Sequence, residues 1–210
     1  KYIFLMLFSI TLNYLGGFWV NAAGQRTRKL ALAVIVLANL ALLGYFKYYS
    51  FAGDTLAALF GRQVLPVRDI ALPLGISFYT FQAVGYLIDC YRGRHPAEKN
   101  FARFLLFISF FPQLVQGPIN RYGELEPQFM ARHTWDWERT KRALFLFAFG
   151  AMKKYAISNL TSPTIAAILD VEDASGLTGA MALLAILLYS LQQYADFSGG
   201  IDMVLGVAQL

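Results

Sequence analysis

The sequence predicts an all-α fold, a polytopic transmembrane helical bundle with a re-entrant or broken helix near residues 101–118. Three observations predict it. Of 210 residues, 57% are apolar and 15% charged, against about a quarter charged in soluble domains. The apolar residues come in blocks with the charges between them, the pattern of membrane spans rather than of a packed core. One block is cut short by two prolines and a glycine (Pro112, Gly117, Pro118).

The first block covers about residues 2–20 and the second about 30–51. Each is long enough to cross ~30 Å of hydrocarbon at ~1.5 Å per residue. The third covers about 70–91, with Pro73 expected in its first turn, where the missing N–H costs least. The fourth, 101–111, is too short to span alone. The prolines after it free backbone groups that lipid cannot satisfy, so the stretch should lie inside protein or at a wet cavity. A polar stretch over 119–142 carries Trp135 and Trp137, residues suited to an interface. The fifth block covers about 143–160, interrupted by Lys153 and Lys154. The sixth covers about 177–197, and a seventh begins near Ile201.

Basic residues order these blocks. Arg26, Arg28 and Lys29 fall in the first loop, Arg92, Arg94, Lys99 and Arg103 in the third, and Arg121, Arg132, Arg139, Lys141 and Arg142 after Pro118. The loop after the fifth block carries only acids: Asp170, Glu172 and Asp173. If the fourth block dips in and returns, every basic loop lies on the cytoplasmic side, as the positive-inside rule favours. The net charge of +5 includes no basic stripe of the kind that reads nucleic acid. With one cysteine, Cys90, no internal disulfide or cysteine-based zinc site is possible. His95 and His133 lie in charged loops without a partner at metal-ligand spacing, so no metal site is expected.

Polar side chains at membrane depth are costly and therefore informative. Tyr79, Gln82, Tyr86 and Asp89 recur at helical spacing, as do Tyr189, Gln192, Gln193 and Asp196. Each stripe reads either as interhelical glue or as the lining of a wet pathway. Asp89, near a segment end, reads as interfacial. Asp196 lies deeper, beside Ser198 and the pair Gly199 and Gly200, which either admit a close backbone or break the helix. At least one of Lys153 and Lys154 is expected to snorkel to an interface; the other could face a polar cavity and meet an anionic group. By pattern alone this suits a transporter as well as an enzyme.

Three stretches go beyond pattern: Leu72-Pro73-Leu74-Gly75-Ile76-Ser77-Phe78-Tyr79-Thr80-Phe81-Gln82, then Phe110-Phe111-Pro112-Gln113-Leu114-Val115-Gln116-Gly117-Pro118-Ile119-Asn120-Arg121-Tyr122, and Gln193-Tyr194-Ala195-Asp196-Phe197-Ser198-Gly199-Gly200-Ile201-Asp202. In this order they resemble the membrane-bound O-acyltransferase family, in its bacterial alginate O-acetylation branch. Leu43-Gly44-Tyr45-Phe46-Lys47-Tyr48-Tyr49 and Gly150-Ala151-Met152-Lys153-Lys154 extend the match.

The resemblance implies one membrane domain over residues 1–210, the N-terminal and central part of a longer chain in the bacterial cytoplasmic membrane. It implies acyl transfer, with acetyl-CoA or another acyl donor as substrate and no bound cofactor. The acceptor would be a hydroxyl on an exported polysaccharide, or a partner enzyme of the SGNH type. The family's catalytic histidine is expected beyond Leu210, so no catalytic residue is assigned here. Gln113, Gln116, Asn120 and Arg121 would lie on the broken helix, with Asp196 and Ser198 opposite. Gln82 and Gln193 would line the tunnel, and Arg121 would meet a donor phosphate. Two other readings stay open. A secondary transporter should show similar halves, and no such internal match is seen. A non-catalytic scaffold of a polysaccharide export complex would lack the downstream histidine.

Overall fold

The computed structural model describes residues 2–22, 24–66, 68, 70–115, 117, 119–169 and 177–210. Among them the regular structure is helical, without a strand. The chain divides into two compact units, residues 1–115 with 119–132 and residues 116–118 with 133–210.

The first unit opens with α1 (Tyr2–Ala22) and α2 (Gln25–Phe60). By length and composition, Tyr2–Ala22 and Thr27–Phe60 could each cross a bilayer. The second block is therefore longer than expected. Helix α2 absorbs Arg28 and Lys29, which the sequence reading left in a loop, and runs nine residues past Phe51. Gly16 and Gly17 let neighbours close on α1: an added Cβ would lie 2.6 Å from Ile35 Cδ1 and 2.9 Å from the Tyr86 hydroxyl. Asn13 and Asn39 exchange two hydrogen bonds of 2.9 Å across α1 and α2, and both are fully buried. Neither amide could be left unpaired in an apolar helix pair without a cost of about 1–3 kcal/mol.

Helix α3 is Ile76–Tyr91, six residues shorter at its start than expected. Pro73 lies outside it and accepts a bond from Ile76 N at 3.2 Å instead. Gly75 caps the helix with a positive φ of 73°, a conformation that a side chain would strain. The fourth block breaks as expected, but earlier than the prolines. Helix α4 (Phe101–Ser109) ends where Phe110 turns extended, and Pro112 sits in the first turn of α5 (Phe111–Val115), where proline is tolerated. Asn100 caps α4, accepting from Ala102 N and Arg103 N. Part of the polar stretch is helical too, as α6 (Tyr122–Met130). The core of this unit joins Ile10, Ile35, Tyr79, Tyr86, Phe104 and Phe107, drawn from α1 to α4.

The second unit opens with α7 (Trp137–Ala151), six residues upstream of the expected start, capped by the Asp136 carboxylate. A π turn (Met152–Ser158) and α8 (Asn159–Leu169) continue it without a loop. Pro163 in α8 offers no N–H to the turn behind it. Thr161 and Ser162 donate their hydroxyls to the Ile157 and Ser158 carbonyls there. The acids Asp170, Glu172 and Asp173 lie outside the described residues. The sixth and seventh blocks are one helix, α9 (Gly179–Gln209).

The glycine pair therefore does not break α9; it brings α7 close. A Cβ on Gly199 would lie 2.6 Å from the Gly150 carbonyl oxygen, and one on Gly206 2.8 Å from that of Ala143. The seven-residue spacing recurs on both helices, which makes a small-residue seam.

Candidate functional site

In the first unit the stripe on α3 is buried as a face: Tyr79, Gln82, Tyr86 and Asp89 are all under 9% exposed. Packing of α5 on the start of α3 follows from Gly75, where a Cβ would come 3.1 Å from the Leu114 carbonyl oxygen. That packing sets Gln113 beside Gln82. The Gln82 amide donates to the Gln113 side-chain oxygen and, at 3.1 Å, to the Phe107 carbonyl. Because α4 stops at Ser109, its last carbonyls lose their partners one turn on. Gln82 thus caps the broken helix from a neighbouring one.

The Gln113 Nε2, Tyr79 hydroxyl and Thr80 hydroxyl are buried and have no hydrogen-bond partner among the described residues. Buried polar atoms are nearly always paired, so this is unused capacity to hold a polar ligand or water. Asn120 is half-buried, and the Arg121 side chain is 56% exposed, 3.9 Å from Asp89. Asp89 lies in the last turn of α3. It is buried and pairs with Arg94 at 3.3 Å. Gln116 lies outside the described residues.

The loop between α3 and α4 is tied down through Glu98, a residue the sequence reading passed over. Its carboxylate accepts from the Tyr122 hydroxyl at 2.7 Å and from Asn100 N at 2.7 Å, and its N–H donates to the Tyr86 hydroxyl at 2.8 Å. Burial pushes the Glu98 carboxyl upward, but these bonds and the Arg103 charge outweigh it and hold it below the usual carboxylate value. Burial, then the bond to Glu98 and its charge, push the Tyr122 hydroxyl well above its ordinary value. An open cleft of about 790 Å³ lies between Tyr14 and this loop, lined also by His95, Lys99 and Arg103. None of the candidate residues named from the sequence lines it. The His95 ring packs edge-on against Tyr122, with centroids 4.9 Å apart.

In the second unit the two lysines of the π turn both reach α9. Lys154 pairs with Asp196 at 2.5 Å. Lys153 pairs with Asp202 and donates to Ser198 Oγ at 2.8 Å. Both ammonium groups therefore meet acids. Gln192 bonds to Ser162, whereas Gln193 is exposed. Asp202, quoted only as part of a motif, belongs with Asp196 and Ser198. Its spacing of six from Asp196 is visible in sequence; the lysines that bind both are not.

The model of the family described as MBOAT, membrane-bound O-acyltransferase family, matches residues 93–209. Over 97% of its length the chain is 40% identical to a probable alginate O-acetylase AlgI of Azotobacter vinelandii, covering 42% of that protein. Over 99% of its length it is 32% identical to a peptidoglycan O-acetyltransferase of Helicobacter pylori, covering 44% of it. A teichoic acid D-alanyltransferase of Bacillus subtilis is 28% identical over 69% of the chain. The chain spans about two fifths of the length of the curated relatives it matches most fully.

Proposed function

This chain belongs to the membrane-bound O-acyltransferase family, and from that premise we propose that the whole protein transfers an acetyl group from acetyl-CoA to an exported polysaccharide. The protein acts from the bacterial cytoplasmic membrane as a multi-pass enzyme, with an SGNH-type enzyme as a partner in the transfer. Relatives named for alginate and peptidoglycan O-acetylation support a hydroxyl of a glycan as the acceptor.

The observation that carries this reading is the broken helix with its buried amide pair, Gln82 and Gln113. Acyl transfer needs a site where a carbonyl can be polarised by fixed donors away from water. The Gln113 Nε2, Tyr79 hydroxyl and Thr80 hydroxyl are buried polar groups with hydrogen bonds still to give. The exposed guanidinium of Arg121 is suited to a donor phosphate, which it can bind through two parallel N–H groups. A general base toward the acceptor hydroxyl is assigned to a histidine downstream of Leu210. Asn120, which lies between α5 and α6 and not on the broken helix, is a further candidate for the donor site, and Gln193 for the tunnel.

The test is a transfer assay on the full-length protein in membranes, with labelled acetyl-CoA and a glycan acceptor. Arg121→Ala is expected to raise the KM for the donor about tenfold with kcat little changed, the mark of lost ground-state binding. An unchanged KM would remove Arg121 from the donor site.

A further inference from the structure

The loop between α3 and α4 does not stand clear of the helices of its unit. Helix α2 starts just after α1 ends, and Arg28 near that start donates to the Cys90 carbonyl at 2.6 Å, so the last turns of α1 and α3 lie at one end of the unit. From that end the loop folds back along the helix sides. Glu98 N donates to the Tyr86 hydroxyl at 2.8 Å, and the Tyr14 hydroxyl donates to the Lys99 carbonyl at 2.6 Å. Tyr86 lies five residues before the end of α3, and Tyr14 eight before the end of α1. At ~1.5 Å per residue the loop returns about 8–12 Å along the helices. The positive-inside rule makes this end cytoplasmic, so the folded-back loop reaches the level of the lipid headgroups.

The cleft of about 790 Å³ opens at this loop, and its lining holds two cations and one acid, Lys99 and Arg103 against Glu98. The acid is already committed: one Glu98 oxygen accepts from Asn100 N and the other from the Tyr122 hydroxyl. Arg103 pairs with Glu126 at 3.2 Å, yet its side chain is 44% exposed, and a guanidinium has five N–H groups to give. The exposed Lys99 ammonium has no partner among the described residues. His95 adds no donor while neutral. Its Nδ1 lies 2.6 Å from the Pro96 carbonyl oxygen, which only accepts, so the proton sits there and the other ring nitrogen is an acceptor.

The rest of the lining suits a lipid better than a free ion. The Phe101 ring, itself exposed, packs edge-on against Tyr14 with centroids 5.2 Å apart, and both rings line the cleft beside the cations. Aromatic rings at headgroup level, next to a lysine and an arginine, are the arrangement that anchors proteins at a bilayer surface.

We propose that the cleft between Tyr14 and the α3–α4 loop binds the phosphate of an anionic phospholipid of the cytoplasmic leaflet, with Lys99 and Arg103 as its cationic contacts and the Tyr14 and Phe101 rings against the glycerol region. The site uses residues of the first unit alone. It goes beyond the transfer reaction and takes from the functional reading only the placement in the membrane.

The experiment is native mass spectrometry of the full-length protein purified in detergent, titrated with dioleoyl phosphatidylglycerol or dioleoyl phosphatidylcholine. The first phosphatidylglycerol is expected to bind more than about tenfold tighter than phosphatidylcholine. Lys99→Gln is expected to weaken it about fivefold, the scale of one cation against an anionic headgroup, and Lys99→Arg to keep it. Arg92→Gln removes an exposed cation of the same loop outside the cleft lining, and is expected to change binding less than about twofold. Lys99 is exposed and unpaired, so these variants should unfold at the wild-type temperature. Equal binding of the two lipids, the result if the remainder of the full chain fills the cleft, overturns the proposal. Equal weakening by Lys99→Gln and Arg92→Gln reduces it to general surface charge and overturns it too. Acetyl-CoA at millimolar concentration is expected to leave the lipid bound; displacement of the lipid, with a raised donor KM in Lys99→Gln, would give the cleft to the acyl donor instead. Lipid binding needs no turnover, so a protein that binds the lipid yet transfers no acyl group overturns the functional reading and leaves this site standing.

Discussion

The Glu98 carboxylate faces the Tyr122 hydroxyl, the Asn100 N–H and the Arg103 guanidinium, and each favours its charged form. Its acidity is shifted below the ordinary value of 4.5, so it contributes stability that is complete above that value and is lost as pH falls through the lower, folded one. Tyr122 is shifted the other way from 10.0. Its contribution is complete below that value and fades as pH rises through the higher, folded one. The loop between α3 and α4 is therefore expected to be best held between about pH 5 and 10. Amide hydrogen exchange at residues 97–100, corrected for intrinsic rates, should show protection that drops on the acid side. Glu98→Gln should lose that acid-side step, and a step that persists would assign it to another group. Gln82 shows the same logic in an apolar setting. It was picked from sequence as a polar residue on a helical face, but its job as the cap of a broken neighbour depends on where α4 stops.

At the scale of elements, the glycines of α7 and α9 make a sharp comparison. Gly150→Ala would put a Cβ 2.5 Å from the Gly199 carbonyl oxygen and 2.8 Å from Met203 N, both backbone atoms. Neither can give way without separating the helices, and with them the two lysine–aspartate pairs. Thermal unfolding in detergent is expected to show a loss of more than about 3 kcal/mol, as overpacking against backbone exceeds the usual 1–3. Gly44→Ala has nothing within 4 Å of the new Cβ. It should be neutral or stabilise by up to ~1 kcal/mol through helix propensity. Equal losses at the two positions would show that the seam does not govern this unit. The sequence reading took Gly199 and Gly200 to allow either a break or a close approach. Only the path of α7 past them selects the second.

The whole molecule depends on the path of residues 101–120 relative to the bilayer. A dip and return keeps the basic loops on one side, and the break at Phe110 supplies a place for the chain to turn. Single cysteines introduced at Phe101 and Asn120, in a full-length protein with Cys90 replaced, are expected to react with an impermeant thiol reagent from the same, cytoplasmic side. Labelling from opposite sides would make this stretch a crossing and remove the donor site built on it. The acidic loop that would mark the other side falls on residues outside the described ones, so this labelling also carries the assignment of sides.

Block composition alone determined that the chain is helical and suited to a membrane, because apolar runs of ~20 residues leave few other ways to satisfy a backbone in lipid. Motif order pointed to the family, since Gln82, Gln113 and Asp196 keep their places along the chain whatever the fold does in detail. Tertiary structure decided the partners. A periodic stripe tells which side chains share a face, but hydrogen bonds and ion pairs form between residues 31 to 49 positions apart, as Gln82 with Gln113 and Lys153 with Asp202 do. Those distances are set by where helices end, by a π turn no propensity announces, and by glycines whose meaning depends on the neighbour that packs against them.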